Sequence, residues 1–210
     1  ICNYNCIHCS YGSRRQTKDR LSEDAIESVL DDLIQLKTRS VYLSGGGEST
    51  TVKGWDLYVQ LLTNQGIEVA LITNGIALQK SDVDILRKMN YIAISIYSTD
   101  EAEYKQITGG HFFKKQFELP SIIKHESNRT IVGARCVLNN VNYKRVISIY
   151  QQAMSAGFDY IIFIPAVDYE GTENGLRLEE MNITKGILEK HYNLFDFSKT
   201  HSYPCSTLPP

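Results

Sequence analysis

The 210-residue chain has almost no charge imbalance: 22 lysines and arginines stand against 24 aspartates and glutamates, a formal net charge of -2. That balance leaves out the basic stripe with which a protein holds a nucleic-acid backbone. The one local concentration of cations, Arg14, Arg15, Lys18 and Arg20, reads as a solvated loop, with attraction of an anionic substrate or reductant as its other use. No apolar run is long enough to cross a bilayer, and none has the layout of a signal peptide. Cysteine is scarce, 5 in all, and Cys2, Cys6 and Cys9 crowd into the first nine residues. Such crowding is unlike the paired frame of a secreted disulfide protein, so a reducing cytoplasm is the expected compartment. The rest, 42% hydrophobic and 22% charged, is an ordinary globular composition, and the length suffices for one sizeable core.

The crowded cysteines form a C-x3-C-x2-C loop, Cys2-Asn3-Tyr4-Asn5-Cys6-Ile7-His8-Cys9. Three close thiolates suit two kinds of centre. One is structural zinc with His8 as fourth ligand. However, His8 lies between Cys6 and Cys9, where wrapping four donors tetrahedrally around one ion is difficult, and Cys136 and Cys205 are isolated. The other is an iron–sulfur cubane, which three cysteines hold while leaving one iron open to a substrate or cofactor. Downstream, the apolar run Val41-Tyr42-Leu43 leads into Ser44-Gly45-Gly46-Gly47-Glu48. A strand ending in consecutive glycines exposes bare backbone to a close ligand; without the cysteine loop upstream, a flexible strand-to-helix turn is the favoured reading of the triplet.

Together, the cysteine loop and the Gly-Gly-Glu turn resemble the radical S-adenosylmethionine (radical SAM) superfamily in order and separation. The resemblance runs from Cys2 to about Pro165 and is strongest in the first 50 residues. It implies a [4Fe–4S] cluster on Cys2, Cys6 and Cys9, with S-adenosylmethionine chelating the unique iron. It assigns the methionyl amino group to Gly45, Gly46, Gly47 and Glu48, and places His8 near the adenine. Many members have proline after the glutamate, where this chain has Ser49. An electron from a donor such as flavodoxin or ferredoxin would then cleave the cofactor to a 5′-deoxyadenosyl radical. That radical would abstract hydrogen from a substrate, with a peptide or amino acid favoured over a nucleoside or sugar. A noncatalytic iron–sulfur or zinc module is the alternative.

Strand and helix patterns alternate along the chain. Apolar periodicity predicts helices over 21–36, 55–63, 83–89 and 143–156, with Ser22 as an N-cap, and an interrupted helical crossover over 101–125 broken at Gly109-Gly110 and Pro120. Strands are predicted over 41–43, 67–72, 91–97, 130–138 and 160–164. Helices between β-rich runs imply a parallel sheet, and the resemblance implies a (β/α)6 partial TIM-type barrel. Five strands are countable, so the first is expected to be truncated, ending at Ile1 beside Val41–Leu43. A genuinely five-stranded sheet would instead leave an edge to cover. The core domain is expected over 1–178, with a C-terminal helix and tail over 179–210. Cys205 stands either where some relatives begin a SPASM/twitch-type extension with auxiliary clusters, or as an incidental thiol.

Ligands of parallel α/β folds collect at the carboxyl ends of strands. Thr73-Asn74-Gly75 ends the second countable strand and reads as a pocket wall or as an Asn-Gly turn. On the next strand, alternation turns Ser95 away from Ile94 and Ile96 and toward the interior with Tyr97. Arg135, a guanidinium in an apolar strand, needs an anion if buried; the methionyl carboxylate, an ion pair with Glu48 and a surface location are all open. Cys136 is expected on the opposite face as a small apolar residue. Asn139, Asn140 and Asn142 follow, with Asn142 expected to cap the next helix. The resemblance sets Ile164 and Pro165 where backbone meets the adenine. The acidic loop beyond them, with Asp168, Tyr169, Glu170 and Glu173, would overhang the site.

Overall fold

A computed structural model describes residues 1–12, 20–111, 113–125, 129–167 and 173–190. Arg14, Arg15, Lys18, Asp168, Tyr169, Glu170 and Cys205 lie outside the described residues. The elements follow in the order α1 (Glu23–Gln35), β1 (Ser40–Leu43), α2 (Trp55–Asn64), β2 (Glu68–Thr73), α3 (Val83–Leu86) and β3 (Tyr91–Ser95). Then come α4 (Glu101–Thr108), α5 (Phe113–Lys124), β4 (Ile131–Leu138), α6 (Val146–Ser155), β5 (Tyr160–Pro165) and α7 (Leu178–Lys190). All five strands are parallel and pair in sequence order, β1-β2-β3-β4-β5. Among the described residues no helix is long and apolar enough to cross a membrane.

Local chemistry sets the helix ends. The Ser22 hydroxyl accepts a hydrogen bond from the Ala25 amide at 3.2 Å, the N-cap expected for α1. Asp100 caps α4 in the same way through Glu103, and Gly109, at φ 73°, closes it in the left-handed conformation. Pro120 does not break the crossover as expected; it lies inside α5. Proline removes one helical hydrogen bond, but Leu119 and Ile123 on either side are buried, and their packing holds the turn together.

The two faces of the sheet differ. Val69, Leu71, Ile92, Ile94, Ile96, Val132, Ala134, Cys136 and Leu138 alternate onto one face and form the main core with Leu62, Leu86, Ile123 and Ile149 from the helices. The opposite, open face carries a row of tyrosines from alternate strands. Tyr42 on β1 stacks on Tyr91 of β3, and Tyr91 on Tyr160 of β5, each pair with ring centroids 6.2 Å apart. Small residues between them make room: Ala70 lies in register between Tyr42 and Tyr91, and Gly133 pairs with Tyr160. A Cβ on Gly133 would come within 2.6 Å of the Tyr160 ring. Large rings on β1, β3 and β5 with small residues on β2 and β4 are how a barrel fills one interior layer.

Gly133→Ala is therefore expected to lower stability by about 1–3 kcal/mol in urea unfolding, because the methyl drives Tyr160 off Tyr91. In a Tyr160→Ala background most of that cost should vanish. Strict additivity of the two substitutions would show that Gly133 is not there to accommodate the ring.

Candidate active site

The cysteine loop lies across the carboxyl end of the sheet and is tied down along its length. The Glu48 amide donates to the Ile1 carbonyl at 3.0 Å, which sets Ile1 beside the turn that follows β1. A Cβ on Gly47 would meet that carbonyl at 2.1 Å, so only glycine admits the approach. On the far side, the amides of Asn5 and Ile7 donate to the carbonyls of Thr108 and Ile107 in the last turn of α4, at 3.0 and 2.9 Å. Between these anchors Tyr4, Tyr97, Tyr104 and Ile107 make a second apolar cluster, against which Cys2, Cys6 and Ile7 pack. Burial pushes the Tyr4 hydroxyl up to about 12, with the Cys6 and Cys2 thiols nearby adding to it, and raises Tyr104 further. Both phenols therefore stay protonated across the ordinary pH range.

Glu48 is buried and turned inward. Its Oε1 accepts from the Thr50 amide at 3.2 Å, the Thr50 hydroxyl at 2.7 Å and the Thr73 hydroxyl at 2.7 Å, while Oε2 accepts from the Asn74 amide at 2.8 Å. Both carboxylate oxygens are thus engaged within the protein, and they join the glycine turn to the end of β2. Asn74 extends the link: its side-chain amide donates to Asn3 in the cysteine loop at 2.7 Å. The chain side of the expected amino-group site is then the exposed backbone of Gly45, Gly46 and Gly47. At Gly45 there is open space where a Cβ would be.

His8 is half-buried, its ring 4.8 Å from that of Tyr97 and its Nδ1 3.4 Å from the side-chain nitrogen of Asn139. Asn139 also accepts from the Val141 amide at 2.9 Å, so a loop after β4 orients the imidazole. Asn142 does not cap the helix that follows with its side chain. Its amide donates to the carbonyls of Tyr97 and Val137, and its oxygen accepts from Asn139, which clamps the ends of β3 and β4 together. The backbone carbonyl of Glu173 accepts from Asn140 at 2.8 Å, bringing that residue to the end of β4.

Ser95 and Arg135 are register partners on β3 and β4, on the face away from buried Ile94 and Ile96. The Arg135 guanidinium reaches across to the Tyr42 hydroxyl at 3.4 Å and makes no salt bridge with Glu48 or any other carboxylate of the described residues. Ile164, partly exposed, is in register with Val137. Cys136 sits on the opposite face in the main core, where burial pushes its thiol far up.

Three thiol donors on one loop are the set that a [4Fe–4S] cluster with one open iron takes. Cys2, Cys6 and Cys9 are half-buried thiols outside any disulfide, on one anchored loop. Among the described residues no three His, Cys, Asp or Glu side chains gather as the ligands of one metal ion would. Thiolates that hold separate iron corners of a cubane need no such convergence.

A parallel sheet with an anchored thiol loop at its carboxyl edge defines an α/β fold of the partial-barrel type. Residues 1–153 match the model of the Radical SAM superfamily, and the chain belongs to that superfamily. Its members are enzymes that use a [4Fe–4S] cluster and S-adenosylmethionine. A probable GTP 3′,8-cyclase of Methanococcus vannielii is 30% identical over 112 residues, covering 52% of this chain and 37% of its own length. A probable GTP 3′,8-cyclase of Sulfurisphaera tokodaii is 27% identical over 202 residues, 95% of this chain and 60% of its own length. The chain thus spans less than two thirds of the length of these curated relatives. The fold is shared with Streptococcus suis SuiB bound to S-adenosylmethionine, at TM-score 0.72 and 18% identity, covering 92% of this chain and 45% of that one. It is shared too with anSMEcpe with bound AdoMet, at TM-score 0.74 and 18% identity, covering 91% and 57%.

Because Glu48 accepts four hydrogen bonds, Glu48→Gln is expected to destabilise the protein free of cluster and cofactor by about 2–4 kcal/mol, since its amide turns a donor toward donors. Chemical denaturation of the apoprotein reads this directly. An unchanged midpoint would mean that the carboxylate serves a ligand rather than the fold.

Proposed function

We propose that this chain cleaves S-adenosylmethionine reductively and uses the resulting radical on a nucleotide substrate, with Cys2, Cys6 and Cys9 as cluster ligands. The observation that carries the reading is the cysteine loop, pinned between the Glu48 turn and α4, with the Ile1 backbone against Gly47 and the Gly45–Gly47 backbone exposed beside it. Cys2, Cys6 and Cys9 would hold a [4Fe–4S] cluster that, when bound and reduced, would supply the electron that breaks the S–C5′ bond of S-adenosylmethionine, with methionine as the leaving group and a 5′-deoxyadenosyl radical as the hydrogen-abstracting agent.

The chain's own residues bind, orient and exclude. The glycine backbone accepts the methionyl amino group, and Glu48, through Thr73 and Asn74, holds that backbone at its distance from the cysteine loop. Arg135, a cation on the open face with no carboxylate partner among the described residues, takes the methionyl carboxylate, beside Ser95. His8, steadied by Tyr97 and Asn139, packs near the adenine together with Ile164. The second apolar cluster under the loop keeps water from the thiols. An external donor of the flavodoxin or ferredoxin kind provides the electron.

For the substrate, the curated relatives favour a nucleotide over the peptide that the sequence pattern suggested. The peptide reading has only a common fold behind it.

The test is anaerobic: the reconstituted, reduced protein should convert S-adenosylmethionine to 5′-deoxyadenosine. Substituting alanine for any one of Cys2, Cys6 or Cys9 should abolish that conversion. Retention of cleavage by all three variants would refute the ligand assignment. Arg135→Ala should weaken S-adenosylmethionine binding by about 1.5–3 kcal/mol, which equilibrium dialysis resolves. Unchanged cofactor affinity with weakened GTP binding would move Arg135 to the substrate.

A further inference from the structure

Gln116 belongs to no motif of the chain, yet it is fully buried at the junction of the crossover helices with the cysteine loop. Its amide nitrogen donates to the Asn74 carbonyl at 2.7 Å and to the Tyr104 hydroxyl at 2.8 Å. The Tyr104 hydroxyl in turn donates to the Tyr4 hydroxyl at 2.9 Å, and the Asn74 side chain reaches Asn3 at 2.7 Å. Asn3 and Tyr4 are adjacent in the chain, so the bonds close a ring: Asn3, Asn74, Gln116, Tyr104, Tyr4. The Tyr4 ring is also pressed against Gly110, where a Cβ would come within 2.2 Å of it.

We propose that Gln116 is a positioning residue for the cluster ligands: it sets the pose of the cysteine loop relative to the strand end that carries the Glu48 network. This rests on the reading of Cys2, Cys6 and Cys9 as cluster ligands. Glutamine is the side chain the geometry requires. It supplies two donors on one nitrogen, where glutamate and methionine supply none and asparagine is a methylene shorter. The Gln116 Oε1 is buried with no hydrogen-bond partner, a cost offset by the two bonds its nitrogen donates to Asn74 and Tyr104. Tyr4 lies between Cys2 and Cys6, so the ring acts next to two of the three ligands.

The experiment compares the full chain with Gln116→Leu and Tyr104→Phe. In the apoprotein, hydrogen exchange is read at the amides of Asn5 and Ile7, which bond to α4, and at amides of β2 to β4 as the reference. Both variants are expected to unfold cooperatively and to keep reference protection, while Asn5 and Ile7 exchange roughly tenfold faster or more. After reconstitution, the electron paramagnetic resonance shift caused by S-adenosylmethionine should be diminished in both. If Gln116→Leu does not fold, Tyr104→Phe decides alone, since it keeps the Gln116–Asn74 bond. Wild-type exchange at Asn5 and Ile7 in the folded variants would overturn the proposal. Faster exchange in a protein whose wild type cleaves no S-adenosylmethionine would leave the ring standing and remove the proposed activity instead.

Discussion

A single buried carboxylate holds the working end of this protein together. Glu48 sits out of solvent with its charge met by four donors, from Thr50, Thr73 and Asn74. A buried anion is costly unless its lone pairs are satisfied, and here the donors come from two strand ends that no ladder bond joins at that point. The same residue's amide holds Ile1, and Asn74, once fixed by Glu48, holds Asn3. One side of the cysteine loop is therefore placed by Glu48, and the other by its amide bonds to α4.

The sheet divides the remaining labour between its faces. On one, aliphatic residues from β2, β3 and β4 join the helices in the main core and supply the rigidity on which the strand ends depend. On the other, tyrosines and Arg135 are left in an open, partly polar environment. Large and small residues alternate across the strands there, so the rings can touch each other across intervening Ala70 and Gly133. Fold stability thereby rests mainly on one side of the strands, and the other stays open toward the carboxyl end, where the sites of parallel barrels collect.

Much of this was legible in the sequence wherever the signal is local. The spacing of Cys2, Cys6 and Cys9, the Ser22 cap, and the alternation that separates Ser95 from Ile94 and Ile96 each depend on neighbours a few residues apart. Five parallel strands were countable for the same reason. The unread features depend on contacts across the chain. Gln116 meets Asn74 across 42 positions and His8 meets Asn139 across 131, and no periodicity marks either pair. Asn142 looked like a cap because asparagine suits caps; its side chain instead bridges Tyr97 and Val137, since two strand ends with free carbonyls lie closer. Pro120 looked like a break because proline costs a helical bond, and the buried neighbours that offset it are set by tertiary packing. Glu48 was identified as a site residue, but the direction of its carboxylate was not written in the Gly-Gly-Glu pattern.

The central claim is that the three thiols hold a cluster with one iron open to the cofactor. Electron–nuclear double resonance on the reduced, reconstituted protein, with S-adenosylmethionine labelled with nitrogen-15 in the amino group and oxygen-17 in the carboxylate, tests it most directly. Hyperfine coupling of both labels to the cluster spin is the expected result. A reduced [4Fe–4S] signal with neither coupling, at cofactor concentrations that saturate binding, would contradict the account.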